Sequence, residues 1–173
     1  PENIDAFAES ISLDKLLGND TNTLPPKSPL RMIVENDRRN RVLRNVRDQY
    51  PGRQNYHYSH GVVIAQKGQR YGDALFKEYL KLLVGENDLM FGFIMAYPPN
   101  IPAIRMALRN GAVIDKLQDD VYEPGKKYFR CVYDDRISYW IRAGAVSLDD
   151  NEYLTKIAQR LNAGFVGTRF KDN

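Results

Sequence analysis

Apolar residues in this chain fall into short runs separated by charged or turn-forming segments, a pattern of strands alternating with helices. The clearest run begins at Tyr58-Ser59-His60-Gly61-Val62-Val63-Ile64-Ala65, passes through a turn containing Gly68 and Gly72, and continues into a helix. A second run covers residues 89–97, and shorter strands are expected at 30–34, 126–133 and 137–141. Asp37 reads as the cap of a helix over 37–50 that Pro51-Gly52 stops, and Ser147 as the cap of a helix to about residue 161 that Gly164 ends. Ahead of these, residues 4–17 read as a short amphipathic helix. A linker rich in proline and asparagine follows, so residues 1–29 form an arm that docks on the domain or on a partner.

The pattern implies a mixed α/β domain, and a chain of 173 residues can bury a core of ordinary size. The longest apolar run has nine residues, too few to cross a bilayer as a helix. Cys131 is the only cysteine, which excludes an intrachain disulfide. With no secretory or lipidation signal to be read, a reducing, cytoplasmic setting is expected. Cys131 lies on an alternating strand and reads as a buried, inert thiol. Two histidines and one cysteine make no metal-ligand constellation.

Charge adds one feature. Arg38, Arg39, Arg41, Arg44 and Arg47 crowd the helix at 37–50, with Arg31 and Arg53 beside it. Such a face suits nucleic-acid phosphates, an acidic protein surface, or simply water. The net charge is only +3 and no aromatic residues interleave to stack bases, so a solvated or protein-facing surface is the expectation and nucleic acid is not.

Candidate chemistry sits at the strand-turn-helix junction. The first amides of a helix point at one spot with the positive end of its dipole behind them. Gly68 and Gly72 let the backbone approach an anion, and Lys67 and Arg70 add charge. This is a phosphate site in outline. Thirty residues on, the run at 89–97 leads to Asn100, Ala103 and Gly111. Together the two segments resemble the GNAT family of acyl-CoA-dependent N-acyltransferases, whose turn reads Arg/Gln-x-x-Gly-x-Gly/Ala and whose later motif reads Asn-x-x-Ala-x-x-x-Tyr-x-x-x-Gly-Phe. Of two registers for the turn, Lys67-Gly68-Gln69-Arg70-Tyr71-Gly72 is preferred over Gln69-Arg70-Tyr71-Gly72-Asp73-Ala74. It puts Ala74, Leu75, Phe76, Tyr79 and Leu80 on the buried helix face.

The resemblance covers residues 30–134, with 135–173 as a strand and helix extension of the same domain, and its front half is short for the family. It implies a mostly antiparallel central sheet flanked by helices, acetyl-CoA or another acyl-CoA as the acyl donor and an amine as the acceptor, with direct attack of the amine on the thioester. The donor's pantetheine would pair with the strand around Val62 and Val63. Its pyrophosphate would sit on amides of Gly68, Gln69, Arg70, Tyr71, Gly72 and Asp73, with Asn100 nearby. The family's acid tyrosine is replaced by Ala107, so Tyr71, Tyr97 or water must serve; the family's base position has His60 as its nearest ionisable residue. The alternative is a non-catalytic protein of the same fold that binds a protein partner, a second copy or nucleic acid through the arm or the arginine-rich helix. The acceptor is not legible in the sequence.

Overall fold

A computed structural model describes residues 6–18, 21–64, 71–83, 88–134, 146 and 152–168, with residues 6–10, 60–64, 71 and 83 described by their backbone. Among the described residues five strands form one sheet: β1 (Ala6–Ser12), β2 (Tyr56–Ile64), β3 (Leu89–Met95), β4 (Val113–Asp119) and β5 (Lys127–Tyr133), in the order β1-β2-β3-β5-β4. Only β2 and β3 are parallel; the other three pairings are antiparallel. Parallel neighbours need a crossover, and α4 (Tyr71–Leu83) supplies it.

Both faces of the sheet are covered. One packs on α1 (Leu13–Gly18), α2 (Pro29–Asn40) and α3 (Arg44–Gln49), the other on α4, α5 (Ile101–Arg109) and α6 (Tyr153–Asn162). Alternation along β3 divides its side chains between two cores: Leu89 and Phe91 join Leu13, Ile33 and Val46, whereas Met90 joins Phe76, Ile104 and Cys131. A strand buried on both faces reads as a continuous apolar run, which is why β3 is so plain in the sequence.

The front of the chain departs from the expected arm. Residues 6–12 are strand rather than helix, pairing with β2 from Ala6↔Ile64 to Ser12↔His57, and Leu13 and Leu16 of α1 are core residues. Residues 30–34 are not a strand but part of α2. Ser28 Oγ accepts from Arg31 N at 3.2 Å, and Pro29 fills the first turn, where its missing N–H costs nothing. The helix expected over 37–50 is two helices, broken at Arg41, whose φ is 53°. Asp37 does cap a helix, but α3 rather than its own: its buried Oδ1 accepts from Leu43 N at 2.6 Å and Arg44 N at 3.1 Å. On α4, Phe76 is buried and Leu75, Tyr79 and Leu80 are half-buried; Ala74 is exposed, contrary to expectation, at the edge of the buried stripe. At the C-terminal end α6 begins at Tyr153 and stops at Gly164, whose φ of 84° suits glycine. The strand expected at 137–141 and the cap expected at Ser147 lie outside the described residues.

A candidate acyl-CoA cleft between two parallel strands

β2 and β3 run side by side for only three residue pairs, Tyr56↔Leu89, His57↔Met90 and Tyr58↔Phe91. Both then continue, β2 to Ile64 and β3 to Met95. β2 stays paired with β1 as far as Ile64↔Ala6, and β3 with β5 as far as Met95↔Tyr128. The outer edges are therefore occupied, while the facing edges pair with no strand among the described residues. Each such edge carries a row of N–H and C=O groups.

Two local features open this wedge. In the β1–β2 ladder Glu9 faces Gly61 and Ser10 faces Ser59, which leaves His60 as the extra residue of a β-bulge. A bulge bends its strand and increases the twist, and this one falls two residues beyond Tyr58, the last residue of β2 paired to β3. Opposite it stands Gly92. A β-carbon there would lie 3.2 Å from the Ser59 carbonyl oxygen and 3.4 Å from Ser59 Cβ, so only glycine fits this approach without a shift. Neither Ser59 nor Gly92 was singled out from sequence; the available signal was a small residue inside each of two apolar runs.

The sequence-derived positions distribute around the wedge as follows. His60 is at the bulge, and Val62 and Val63 are on the diverging part of β2. Gly68, Gln69 and Arg70 lie outside the described residues; Tyr71 opens α4, followed by buried Gly72. Asp73 turns its carboxylate to the end of α5, with Asn110 Nδ2 donating to Oδ1 at 3.4 Å and Arg109 Nη1 forming an ion pair with Oδ2 at 3.7 Å. Asn100 caps α5, its Oδ1 accepting from Ala103 N at 3.3 Å. Tyr97 follows the end of β3 and is 62% exposed. Ala107, which the sequence resemblance aligns with an acid tyrosine, is packed in the same core as Phe76 and Ile104.

On the α1–α3 face, the Tyr58 and Tyr122 hydroxyls bond each other, and burial raises both phenols well above their ordinary range. These groups remain protonated at any physiological pH. Among the described residues no group of three or more His, Cys, Asp or Glu side chains could hold a metal ion, and no helix is long and apolar enough to cross a membrane.

Comparison with known proteins gives little beyond this geometry. No protein-family model matches the chain, and no curated protein matches it. Among solved structures it is similar to an agmatine N-acetyltransferase mutant in its apo form, at 12% identity over 74% of this chain and 67% of that one, with a TM-score of 0.46. It is also similar to a protein from Desulfovibrio desulfuricans assigned to the GNAT family of acetyltransferases, at 12% identity over 74% of this chain and 99% of that one, with a TM-score of 0.38. At such scores the likeness is too slight to bear on activity.

Proposed function

We propose that this chain is an acyl-CoA-dependent N-acyltransferase, similar to the GNAT family, that moves an acetyl group from acetyl-CoA to an amine. The observation that carries the reading is the wedge between β2 and β3: a parallel pair that parts after Tyr58 and Phe91, with α4 starting beyond the end of the diverging strand. A pantetheine arm carries amide donors and acceptors of its own, and the unpaired strand edges offer the complementary groups. The residues present therefore fit the donor.

In this reading Val62 and Val63 align the arm along β2, the amides of Gly68, Gln69, Arg70, Tyr71, Gly72 and Asp73 receive the pyrophosphate, and Asn100 lies beside the donor. The bound thioester supplies an activated acyl carbon. His60 takes the proton of the incoming ammonium, directly or through water, since an imidazole titrates near neutrality. Tyr71, Tyr97 or water completes the proton path, since Ala107 carries no acid group. The single cysteine fits a reducing, cytoplasmic setting.

Calorimetric titration with acetyl-CoA tests the reading. Binding is expected, and Gly72→Glu, which sets a carboxylate and bulk against the pyrophosphate, is expected to weaken it at least tenfold. Equal affinity in the folded wild type and variant removes this turn from the site. The absence of an acidic group at Ala107 supports one second reading, a non-catalytic protein of this fold that binds a protein partner or a second copy. It predicts no acyl transfer to a broad panel of amines, peptides and proteins; His60→Ala then changes nothing, whereas in an enzyme it lowers turnover with little change in donor affinity.

A further inference from the structure

We infer that Ser59 supplies the hydrogen bond that stabilises the departing coenzyme A thiolate, a role for which Ala107 offers no group; the inference rests on the acyltransferase reading above. Ser59 is the residue of β2 between the last pair with β3, at Tyr58, and the bulge at His60, so it stands at the apex of the wedge. Its face of the sheet is fixed by Gly92. Leu89 and Phe91 point to the α1–α3 core and Met90 to the α4–α6 core, so a side chain at 92 would point to the α4–α6 side. A β-carbon built there lies 3.4 Å from Ser59 Cβ and 4.0 Å from Ser59 Oγ. The hydroxyl thus leans over the glycine, on the same side as α4 and α5. It is half-buried, and among the described residues it takes part in no hydrogen bond.

Other hydroxyls are less well placed. The Tyr58 hydroxyl is on the opposite face and engaged with that of Tyr122. Tyr97 is five residues beyond Gly92, about 16 Å along an extended strand. With the pyrophosphate at the start of α4, the arm runs back along Ile64, Val63, Val62 and Gly61, and its acyl end reaches the apex. There the amine nitrogen forms a bond to the acyl carbon and the C–S bond breaks with its electron pair going to sulfur. The proton lost by the amine passes to His60 or water, and a proton from water completes the coenzyme A thiol. The serine O–H donates to the sulfur as its charge grows and keeps its own proton.

The test uses full-length wild type, Ser59→Ala and Ser59→Thr, with thermal unfolding of each recorded as a folding control. Titration of the coenzyme A complex by thiolate absorbance in the ultraviolet is expected to give a lower thiol pKa in wild type and Ser59→Thr than in Ser59→Ala. Calorimetric affinity for acetyl-CoA should stay within a few-fold. Where an acceptor amine is turned over, kcat should fall roughly 10²-fold in Ser59→Ala, the size expected for loss of one preorganised donor, and Thr should restore most of it. Unchanged thiol pKa in Ser59→Ala overturns the role of Ser59 and leaves the acyltransferase reading intact. A folded wild type that binds neither acetyl-CoA nor coenzyme A overturns both.

Discussion

Arg130 and Asp115 face each other from β5 and β4 as a fully buried pair, with Arg130 Nε 2.9 Å from Asp115 Oδ1 and Nη2 2.5 Å from Oδ2. Gln49 Oε1 accepts from the same Nη2 at 2.5 Å, and the Tyr50 hydroxyl donates to Asp115 Oδ2 at 2.6 Å, so the pair also fastens α3 to the sheet. Removing one partner leaves the other charge buried and uncompensated. Asp115→Ala is therefore expected to cost about 3–5 kcal/mol in urea unfolding, and the double variant Asp115→Leu/Arg130→Met much less than the sum of its singles. Strict additivity would mean that the two side chains act independently.

Gly92 sets how closely β3 approaches Ser59. Gly92→Ala should force the strands apart by a few tenths of an ångström, lower stability by about 1–3 kcal/mol as overpacking does, and weaken acetyl-CoA binding through the altered wedge. A variant of unchanged affinity and raised melting temperature would show that the contact does not constrain the cleft.

Stability should decline in alkali. Burial raises the phenols of Tyr50, Tyr58, Tyr122 and Tyr133 and pushes the Cys131 thiol up to about 12. The unfolded chain releases these protons near pH 8.5 to 10 while the folded chain keeps them. Their contribution is thus whole below about pH 8, begins to fall as pH reaches the unfolded values and is lost as pH rises through the raised folded ones. Urea midpoints should fall steadily from pH 8.5 to 10.5; a flat profile contradicts the burial of these groups. The same cause should leave Cys131 unreactive toward iodoacetamide at pH 8 until the protein is denatured.

The arginine-rich segment should not bind nucleic acid at physiological salt. Arg31 pairs with Glu35 at 2.8 Å, Arg41 with Asp48 at 3.1 Å, Arg44 with Asp37 at 3.4 Å and Arg47 with Asp14 at 2.5 Å, and Arg53 pairs with Asp134. Arg47 also lies 5.3 Å from the centre of the Tyr56 ring. Phosphates would have to displace these carboxylates. Sub-micromolar, salt-sensitive binding to DNA or RNA, lost on neutralising Arg38, Arg41 and Arg44 together, would be the contrary result.

Where local pattern and tertiary environment agree, the fold is legible: β2, β3 and β5 declare themselves as apolar runs, and Gly164 as a helix stop. β1 is not legible because Ile4, Phe7, Ala8 and Ile11 recur at helical spacing while Phe7, Ile11 and Leu13 fall on alternate positions, and the choice belongs to β2, whose edge lies some fifty residues away. The break between α2 and α3 was hidden because an arginine, not a glycine, takes the left-handed position. In α2, five consecutive residues at 30–34 mimic a strand, although Ser28-Pro29 just ahead of them carries the helix-start signal. For the cleft, letters could indicate a turn suited to phosphate but not the parting of β2 from β3, which depends on pairing and on a bulge against β1.

That parting has a consequence for local protection. Successive amides along a strand point to opposite edges, so on β2 between Gly61 and Ile64 those directed at β1 are locked in a ladder while their neighbours open onto the wedge. Hydrogen exchange should alternate residue by residue along this one strand, slow then fast. A bound pantetheine arm would quench the fast set alone, turning the strand itself into a reporter of what lies between it and β3.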